Sequence, residues 1–381
     1  MKIDFKRFLA DTSFIWHPFV KDKLEIWHGD DEIIEIVDNE KIIPDPIVSV
    51  VILSYNHREM LKECVLSVLN QETKYRFEII IVDDVSNDGV TLNIVCELQK
   101  EYPESIRVVV GHNNVGSIRN ALRGLKVCRG SFIACIDGDD FYCSTHKLER
   151  QISYLISHPE VAICTCSLYQ QLEGYSWART PLRFKTKKSH VSKNEVVGEL
   201  RANEFLKACT FVPVTAFFRA DSAKYAVDKI TELTKIIDWF PCQDFELWYY
   251  MVQTGKMHFI PEEMCVYRTN HTSASADRNM KIAVARQFGD WCDKLAMIQN
   301  APEYITEETK NHVERNVVEF LARYVELERC ENQLSGYLKN LIKDFGLKLD
   351  LSGKGKITKH GGRLCVWSYL LRKLAIGLFR L

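Results

Sequence analysis

No uninterrupted apolar run in the 381 residues reaches the roughly 18 that a membrane-spanning helix needs, so nothing in the chain reads as a bilayer span. An excess of one charge is also missing. Fifty Lys and Arg stand against 51 Asp and Glu, a formal net charge of -1, so no global basic field exists to recruit nucleic acid. Any anionic ligand must be met by local charges. The 13 cysteines include no CxxC pair and are scattered through apolar runs. Cys135, Cys164 and Cys166 fall in strand-like segments, where a reduced thiol behaves as a small hydrophobe. Met1 to Ala10 mixes charge throughout and carries no secretory signal, which makes a reducing cytoplasm the expected compartment. Neither GxGxxG nor GxxxxGK[ST] follows the first apolar run, where the chain reads Ser54-Tyr-Asn-His-Arg58. That excludes a dinucleotide-dependent dehydrogenase and a P-loop enzyme. A nucleotidyltransferase would also need a Gly- and Lys-rich loop at this point. Internal repeats and low-complexity tracts are absent.

What is present is ordinary globular composition, 46% hydrophobic and 27% charged, in a chain long enough for one large domain with an appendage or for two. Residues 1–45 read as an irregular N-terminal extension, closed by Pro44-Asp45-Pro46. Alternating elements follow. Strands are predicted over Ile47 to Tyr55, Phe77 to Val82, Ile106 to Val110 and Ser131 to Ile136. Helices are predicted over Arg58 to Leu69, Thr91 to Glu101 and Ile118 to Cys128. Apolar strands separated by helices indicate a mostly parallel, Rossmann-like α/β sheet covered on both faces. Val161 to Leu168 reads as another strand, 170–205 as a polar loop rich in Lys and Arg, and Asp244 to Met251 as helical. From Asp277 the chain becomes a helical C-terminal extension, with Val284, Phe288, Trp291 and Leu295 on one face. A second amphipathic helix there starts at Thr306 as N-cap.

In such sheets ligands sit beyond the carboxyl ends of the strands. The residues at those ends are Ser54, Tyr55 and Asn56, then Asp83-Asp84, then Asn113-Asn114, then Asp137-Gly138-Asp139-Asp140. Crowded carboxylates repel one another, and a hard cation such as Mg²⁺ or Mn²⁺ would offset that repulsion; the plainer reading is a solvated acidic turn. Asp83-Asp84 is open to two readings as well, turn chemistry or a carboxylate that accepts a pyrimidine N–H. Asp244 opens a helical stretch, where a carboxylate is favoured by the helix dipole with or without a chemical role.

The runs VSVVILSYN (Val48 to Asn56), SVLNQ (Ser67 to Gln71), IIIVDDVSND (Ile79 to Asp88), Asn114-Val-Gly116 with Arg119-Asn120, and FIACIDGDDFY (Phe132 to Tyr142) resemble the family 2 glycosyltransferases of GT-A fold. So do Gln243-Asp244-Phe-Glu-Leu-Trp248 and Tyr267-Arg268-Thr-Asn-His271. The resemblance covers roughly residues 47 to 275. It implies an inverting transfer of a sugar from a nucleotide-diphosphate sugar, UDP-linked by expectation, to an acceptor hydroxyl. Asp84 would hold the base, helped by main chain at Ser54 and Tyr55, and Arg119 would lie near the diphosphate. Asn56, Asn114 and Asp137 would line the nucleotide-sugar site. Asp139 or Asp140 would ligate Mn²⁺ or Mg²⁺ and the other would hold ribose or sugar; His271 is a further metal or phosphate candidate. Asp244 would be the general base. Val85 departs from the family's usual glycine and Gln243 from its usual Glu.

The chain is thus expected to divide into an N-terminal extension (1–45), a GT-A catalytic domain implied by the resemblance (46–275, with nucleotide-binding half 46–145 and acceptor half 146–275), a helical region (276–360) and a basic amphipathic tail (361–381). That tail carries Arg363, Arg372, Lys373 and Arg380 among Leu, Ile, Trp and Phe, which suits a helix lying on a membrane surface; the plainer reading is a terminal helix docked on the protein's own core. The expected setting is a hexosyl- or N-acetylhexosaminyltransferase at the inner face of the plasma membrane. Its acceptor would be a glycan or lipid-linked chain of bacterial surface polysaccharide. The competing reading is an inactive relative that binds nucleotide-sugar as an assembly partner; the joint presence of Asp84, Asp139, Asp140 and Asp244 argues against it.

Overall fold

A computed structural model describes residues 3–20, 33–172, 203, 205–206, 212–233, 244–269, 280–300 and 305–349. The elements, in chain order, are α1 (Phe5–Val20), β1 (Ile33–Ile36), β2 (Val48–Ser54), α2 (Glu59–Leu69), β3 (Phe77–Asp83), α3 (Thr91–Glu101), β4 (Ile106–Gly111), α4 (Ser117–Lys126), β5 (Phe132–Asp137) and β6 (Phe141–Tyr142). Then come α5 (Lys147–Ser157), β7 (Val161–Leu172), β8 (Phe217–Arg219), α6 (Ala220–Leu233), α7 (Phe245–Met251), β9 (Lys256–Thr269), α8 (Met280–Asn300), α9 (Glu307–Glu328) and α10 (Gly336–Asp344).

The strands form one mixed sheet in the order β1-β4-β3-β2-β5-β8-β7-β9-β6. Its parallel heart is β4-β3-β2-β5, the four strands expected from the apolar runs. Chain order runs outward from β2 through β3 to β4, then returns to the other side of β2 as β5. The crevice between β2 and β5 is therefore the topological switch point. Period-2 alternation divides the strand residues between two apolar layers. Val51, Leu53, Ile80 and Val82 pack with α1, α4, α6, α7, α8 and α9. Val50, Ile52, Ile79 and Ile81 pack with α2, α3 and α5.

At the amino ends of the strands, charge closes on itself. The buried Glu78 carboxylate accepts from Ser49 Oγ (2.7 Å), Arg107 Nη1 (2.9 Å) and Arg129 Nε (2.8 Å), and Arg107 also reaches Glu35 (2.6 Å). Burial pushes the Glu78 pKa up, but the hydrogen bonds from Ser49, Arg129 and Arg107 outweigh it and the carboxyl titrates below its usual range.

The N-terminal stretch is not an irregular lead-in. Phe5, Phe8, Thr12 and Ile15 recur at helical spacing, are all buried, and make α1 amphipathic. Phe8 meets Phe288 of α8 with ring centroids 6.0 Å apart, Phe14 meets Tyr324 of α9 at 6.4 Å, and Ser335 donates to Asp11 (2.6 Å). Residues 33–36 also join the sheet, as the antiparallel edge strand β1 beside β4. Thr306 does cap α9, accepting from Thr309 N–H (3.2 Å). Among the described residues no helix is long and apolar enough to cross a membrane.

Gly124 marks how closely α4 approaches the sheet. A Cβ at this position would lie 2.6 Å from Val82 Cγ2 and 2.7 Å from Val51 Cγ1. Alanine would gain about 1 kcal/mol in helix propensity, but overpacking a core typically costs about 1–3 kcal/mol. Gly124→Ala is expected to lower stability by about 1–2 kcal/mol in urea unfolding; a stabilised variant would show that α4 is free to shift.

Candidate active site

The carboxyl ends of β2, β3, β4 and β5 and the loops after them form one crevice. On its β3 side every carboxylate is occupied. Asp83 accepts from Ser54 Oγ (2.9 Å), Ser86 N–H (2.7 Å) and Ser86 Oγ (2.7 Å). Asp88 takes the N–H groups of Val90 (3.0 Å) and Thr91 (2.9 Å) at the start of α3, and pairs with Arg58 (3.2 Å). Those Thr91 and Val90 N–H groups hold its carboxyl well below the usual range. Asn56 exchanges hydrogen bonds with Asn87, its side-chain amide donating at 3.0 Å and its Oδ1 accepting from Asn87 N–H at 3.0 Å. The β2–α2 and β3–α3 loops are thereby laced together.

Asp84 buttresses the β4–α4 loop. Its carboxylate accepts from Val115 N–H (2.8 Å), Gly116 N–H (2.9 Å) and Arg123 Nη1 (3.2 Å), while its carbonyl accepts from Asn114 Nδ2 (3.0 Å). Burial raises its pKa, and the Val115 hydrogen bond and the Arg123 charge act against that rise. Three donors leave one of a carboxylate's roughly four lone-pair sites open. Arg119 lies 4% exposed within α4, whose residues from Ile118 to Leu125 are all buried. The cation that meets Asp84 is Arg123, one helical turn later and absent from the sequence expectations.

Val85 stands at φ 59°, in the left-handed region, and Asn56 (φ 59°) and Arg58 (φ 51°) do so across the crevice. Asparagine tolerates this conformation, whereas a β-branched residue pays about 1–2 kcal/mol there. That is the physical content of the Val85-for-glycine departure: this turn holds a backbone that glycine adopts freely.

On the β5 side the carboxylates crowd one another, and one buried oxygen is not satisfied. Asp137 and Asp139 are half-buried, and Asp140 is fully buried. Asp140 Oδ1 accepts from Arg268 N–H (2.8 Å), but Oδ2 has no partner. Burial drives the Asp140 pKa well up, and the charges of Asp139 and Asp137 add to it. Asp137 is likewise raised by burial, then by Asp139 and Asp244. Asp244, 107 positions later in the chain, thus acts on the same crevice. It stands immediately before α7, and its Oδ2 accepts from Trp248 Nε1 (3.3 Å). From β9, Arg268 donates to the Asp139 carbonyl (2.8 Å), ion-pairs with Glu63 and lies 4.5 Å over the Phe141 ring. The turn from Asp137 to Asp140 is therefore pinned from behind. Gly138 leaves room for His57, whose unpartnered Nδ1 would lie 2.6 Å from a Cβ there. Burial lowers the His57 pKa, and Asp139, Asp83 and Asp88 pull it back up.

Asp139 and Asp140 fit a hard cation in donor chemistry, since carboxylate oxygens suit Mg²⁺ and Mn²⁺ and such ions commonly use one or two carboxylates plus phosphate and water. Among the described residues no three His, Cys, Asp or Glu side chains converge as a ready-made metal cage. His271, Gln243, most of the 170–205 loop and the 361–381 tail lie outside the described residues. Residues that sequence reading missed altogether are His57, Arg123 and three acids near Asp244: Glu246, Asp290 and Asp293. Burial raises Asp290 to about 6 against the opposing charges of Lys294 and Arg286.

The glycosyl transferase family 2 profile matches residues 49–222. This stretch is a family 2 glycosyltransferase domain. The family 2 match extends to relatives. An uncharacterised protein of Mycobacterium tuberculosis is 35% identical over 117 residues, 31% of this chain and 34% of its own length. The putative teichuronic acid biosynthesis glycosyltransferase TuaG of Bacillus subtilis is 37% identical over 111 residues, 29% of this chain and 42% of its own length. The chain thus spans well under half of these curated relatives. Among solved structures, Staphylococcus aureus TarS with UDP-GlcNAc aligns over 78% of this chain and 80% of its own, at 18% identity and TM-score 0.48. A Pyrobaculum calidifontis mannosyltransferase with GDP-Man and Mn²⁺ aligns over 90% and 88%, at 13% identity and TM-score 0.47.

Removing the Asp84 carboxylate from the family 2 domain would take the counter-charge from the buried Arg123 and the acceptor from two backbone N–H groups. Asp84→Ala is expected to cost about 3–5 kcal/mol in denaturant unfolding. A loss below 1 kcal/mol would mean that the pair behaves as a solvated surface bridge.

Proposed function

We propose that this chain is an inverting glycosyltransferase that moves a sugar from a nucleotide-diphosphate sugar, UDP-linked by preference, to an acceptor hydroxyl. The observation that supports the reading is that the charge of Asp244, far along the chain, reaches Asp137 beside Asp139 in a crevice of a family 2 domain. Asp244 takes the proton from the acceptor hydroxyl as its oxygen bonds to the anomeric carbon. The bond to the diphosphate oxygen breaks on the opposite side, inverting the centre. A positioned base of this kind typically gives ~10²–10⁴-fold. The base ring lies by Asp84, which offers its remaining lone pair to a ring N–H, with main chain at Ser54 and Tyr55 and the side chains of Asn56 and Asn114 around it. Asp139 is the half-buried carboxylate suited to hold Mn²⁺ or Mg²⁺, with Asp140 Oδ2 behind it and His271 as a further ligand. Such a cation supplies electrostatic stabilisation of the departing diphosphate. Arg119 bears on the diphosphate only through α4, given its burial.

Asp137 and Asp140 have folded pKa values raised above their unfolded ones. Their contribution is intact below the ordinary carboxylate range and is lost as pH rises through the raised values. A cation that binds the ionised form reverses this. Mn²⁺ with the matching nucleotide-sugar is expected to raise Tm, and more at about pH 8 than at about pH 5. Asp244→Asn is expected to keep that thermal shift and lose ~10²–10⁴-fold in transfer or donor hydrolysis. Wild type that turns over no donor, with or without acceptors, would instead support the inactive, assembly-partner reading.

The setting we propose is bacterial surface polysaccharide or lipid-linked glycan synthesis, at the cytoplasmic face of the membrane. The basic amphipathic composition of 361–381 supports it, as does the polysaccharide context in the name of the TuaG relative. Deleting 361–381 is expected to abolish co-sedimentation with anionic vesicles; unchanged sedimentation would remove the anchor.

A further inference from the structure

Two residues after Asp244, Glu246 of α7 is fully buried, and neither of its carboxyl oxygens has a donor. Asp293 of α8 is 2% exposed, and its Oδ2 is equally unpartnered. The Lys294 ammonium, on the residue after Asp293, lies over the ring of Phe245, the residue before Glu246, so the two helices bring these acids together, and each carboxyl acts on the other's pKa. Ionised carboxyls only accept, so a hydrogen bond between them requires a proton on one. The surrounding charges favour that proton. Burial raises Glu246 first, its own backbone N–H acts against that rise, and Asp244 and Asp290 raise it further. Burial also leads for Asp293, followed by Glu246 and Asp290, with Lys294 acting the other way. The Lys294 ammonium is itself engaged over the rings of Trp291 (4.2 Å) and Phe245 (4.8 Å). Tyr250, the other titratable group on α7 that senses Glu246, is pushed up by burial and stays neutral. Two ionised carboxylates in this pocket would repel, with Lys294 alone among the charges named offsetting part of that repulsion.

We propose that Glu246 and Asp293 share one proton, and that this bond ties α7 to α8 and holds Asp244 at the crevice. Both are then positioning residues for the base. α7 has only seven residues and no side-chain cap at its start, so it depends on such side contacts for its orientation. The role given to Asp244 rests on the glycosyltransferase reading; the shared proton does not.

Two measurements separate them. Infrared spectroscopy of the wild-type chain at neutral pH should show a protonated-carboxyl C=O band that loses intensity in the Glu246→Gln/Asp293→Asn double variant. An unchanged band would overturn the shared proton, whatever the enzyme does. With the nucleotide-sugar that wild type turns over best, Glu246→Leu should lower kcat by on the order of 10- to 100-fold and leave the donor KM near wild type. Glu246→Gln, whose amide can still bond Asp293, should stay within a few-fold of wild type. It should also lack the alkaline fall in kcat that wild type shows as the shared proton leaves. Equal kcat for the Leu and Gln variants, or the same alkaline limb in both wild type and Gln, would overturn the positioning role. Wild type without turnover would sink the glycosyltransferase reading and leave the infrared result to decide the tether.

Discussion

The cost of burying a carboxylate governs this molecule. A parallel sheet covered on both faces leaves its polar groups only at the strand ends, and there each acid must find donors, a proton or a cation. At the amino ends the matter is closed: Glu78 is surrounded by Ser49, Arg107 and Arg129 and titrates below its usual range. The carboxyl ends differ, and they differ from one side of the switch point to the other. Asp83, Asp84 and Asp88 spend their oxygens on loop N–H groups, hydroxyls and arginines, which fixes the walls of the crevice. Asp140 keeps one oxygen without a donor, Asp137, Asp139 and Asp140 crowd one another, and Asp244 adds to the repulsion at Asp137.

That asymmetry is what gives the site its chemistry. Under the proposed function the hydrogen-bonded side recognises the nucleotide, while the other side takes up a cation and the proton of the acceptor. The same constraint continues behind Asp244. Glu246 and Asp293 are too deep for a cation from the crevice, and a shared proton is the remaining way to keep both acids buried.

Much of this was legible in the sequence because buried parallel strands are long apolar runs. The ends of β2 to β5 fell within a residue or so of expectation, and so the strand-end aspartates were found by topology. α3 and the Thr306 cap were equally clear. The mixed half was less so: β7 was expected, its parallel partner β9 was not. β9 carries Pro261-Glu262-Glu263 in its middle, which reads as a break, and the structure absorbs it as a register shift between Cys166 and Ser167 of β7. α1 was hidden by its aromatic and β-branched residues and by Pro18, which lower local helix propensity; packing on α8 and α9 makes up for that. Arg123, Glu246 and Asp293 could not be assigned roles from the chain, since each acquires its role from a partner dozens of positions away or on another helix. Val85 was visible as an oddity, and only its φ of 59° explains what the turn demands.

The central claim is that the β2–β5 crevice is where metal and nucleotide meet. Electron paramagnetic titration of Mn²⁺, alone and with UDP, tests it most directly in wild type and in Asp139→Asn. The account predicts that UDP tightens Mn²⁺ binding in wild type and that the substitution removes this gain. Mn²⁺ binding that ignores the nucleotide, or that survives unchanged in Asp139→Asn, would contradict it.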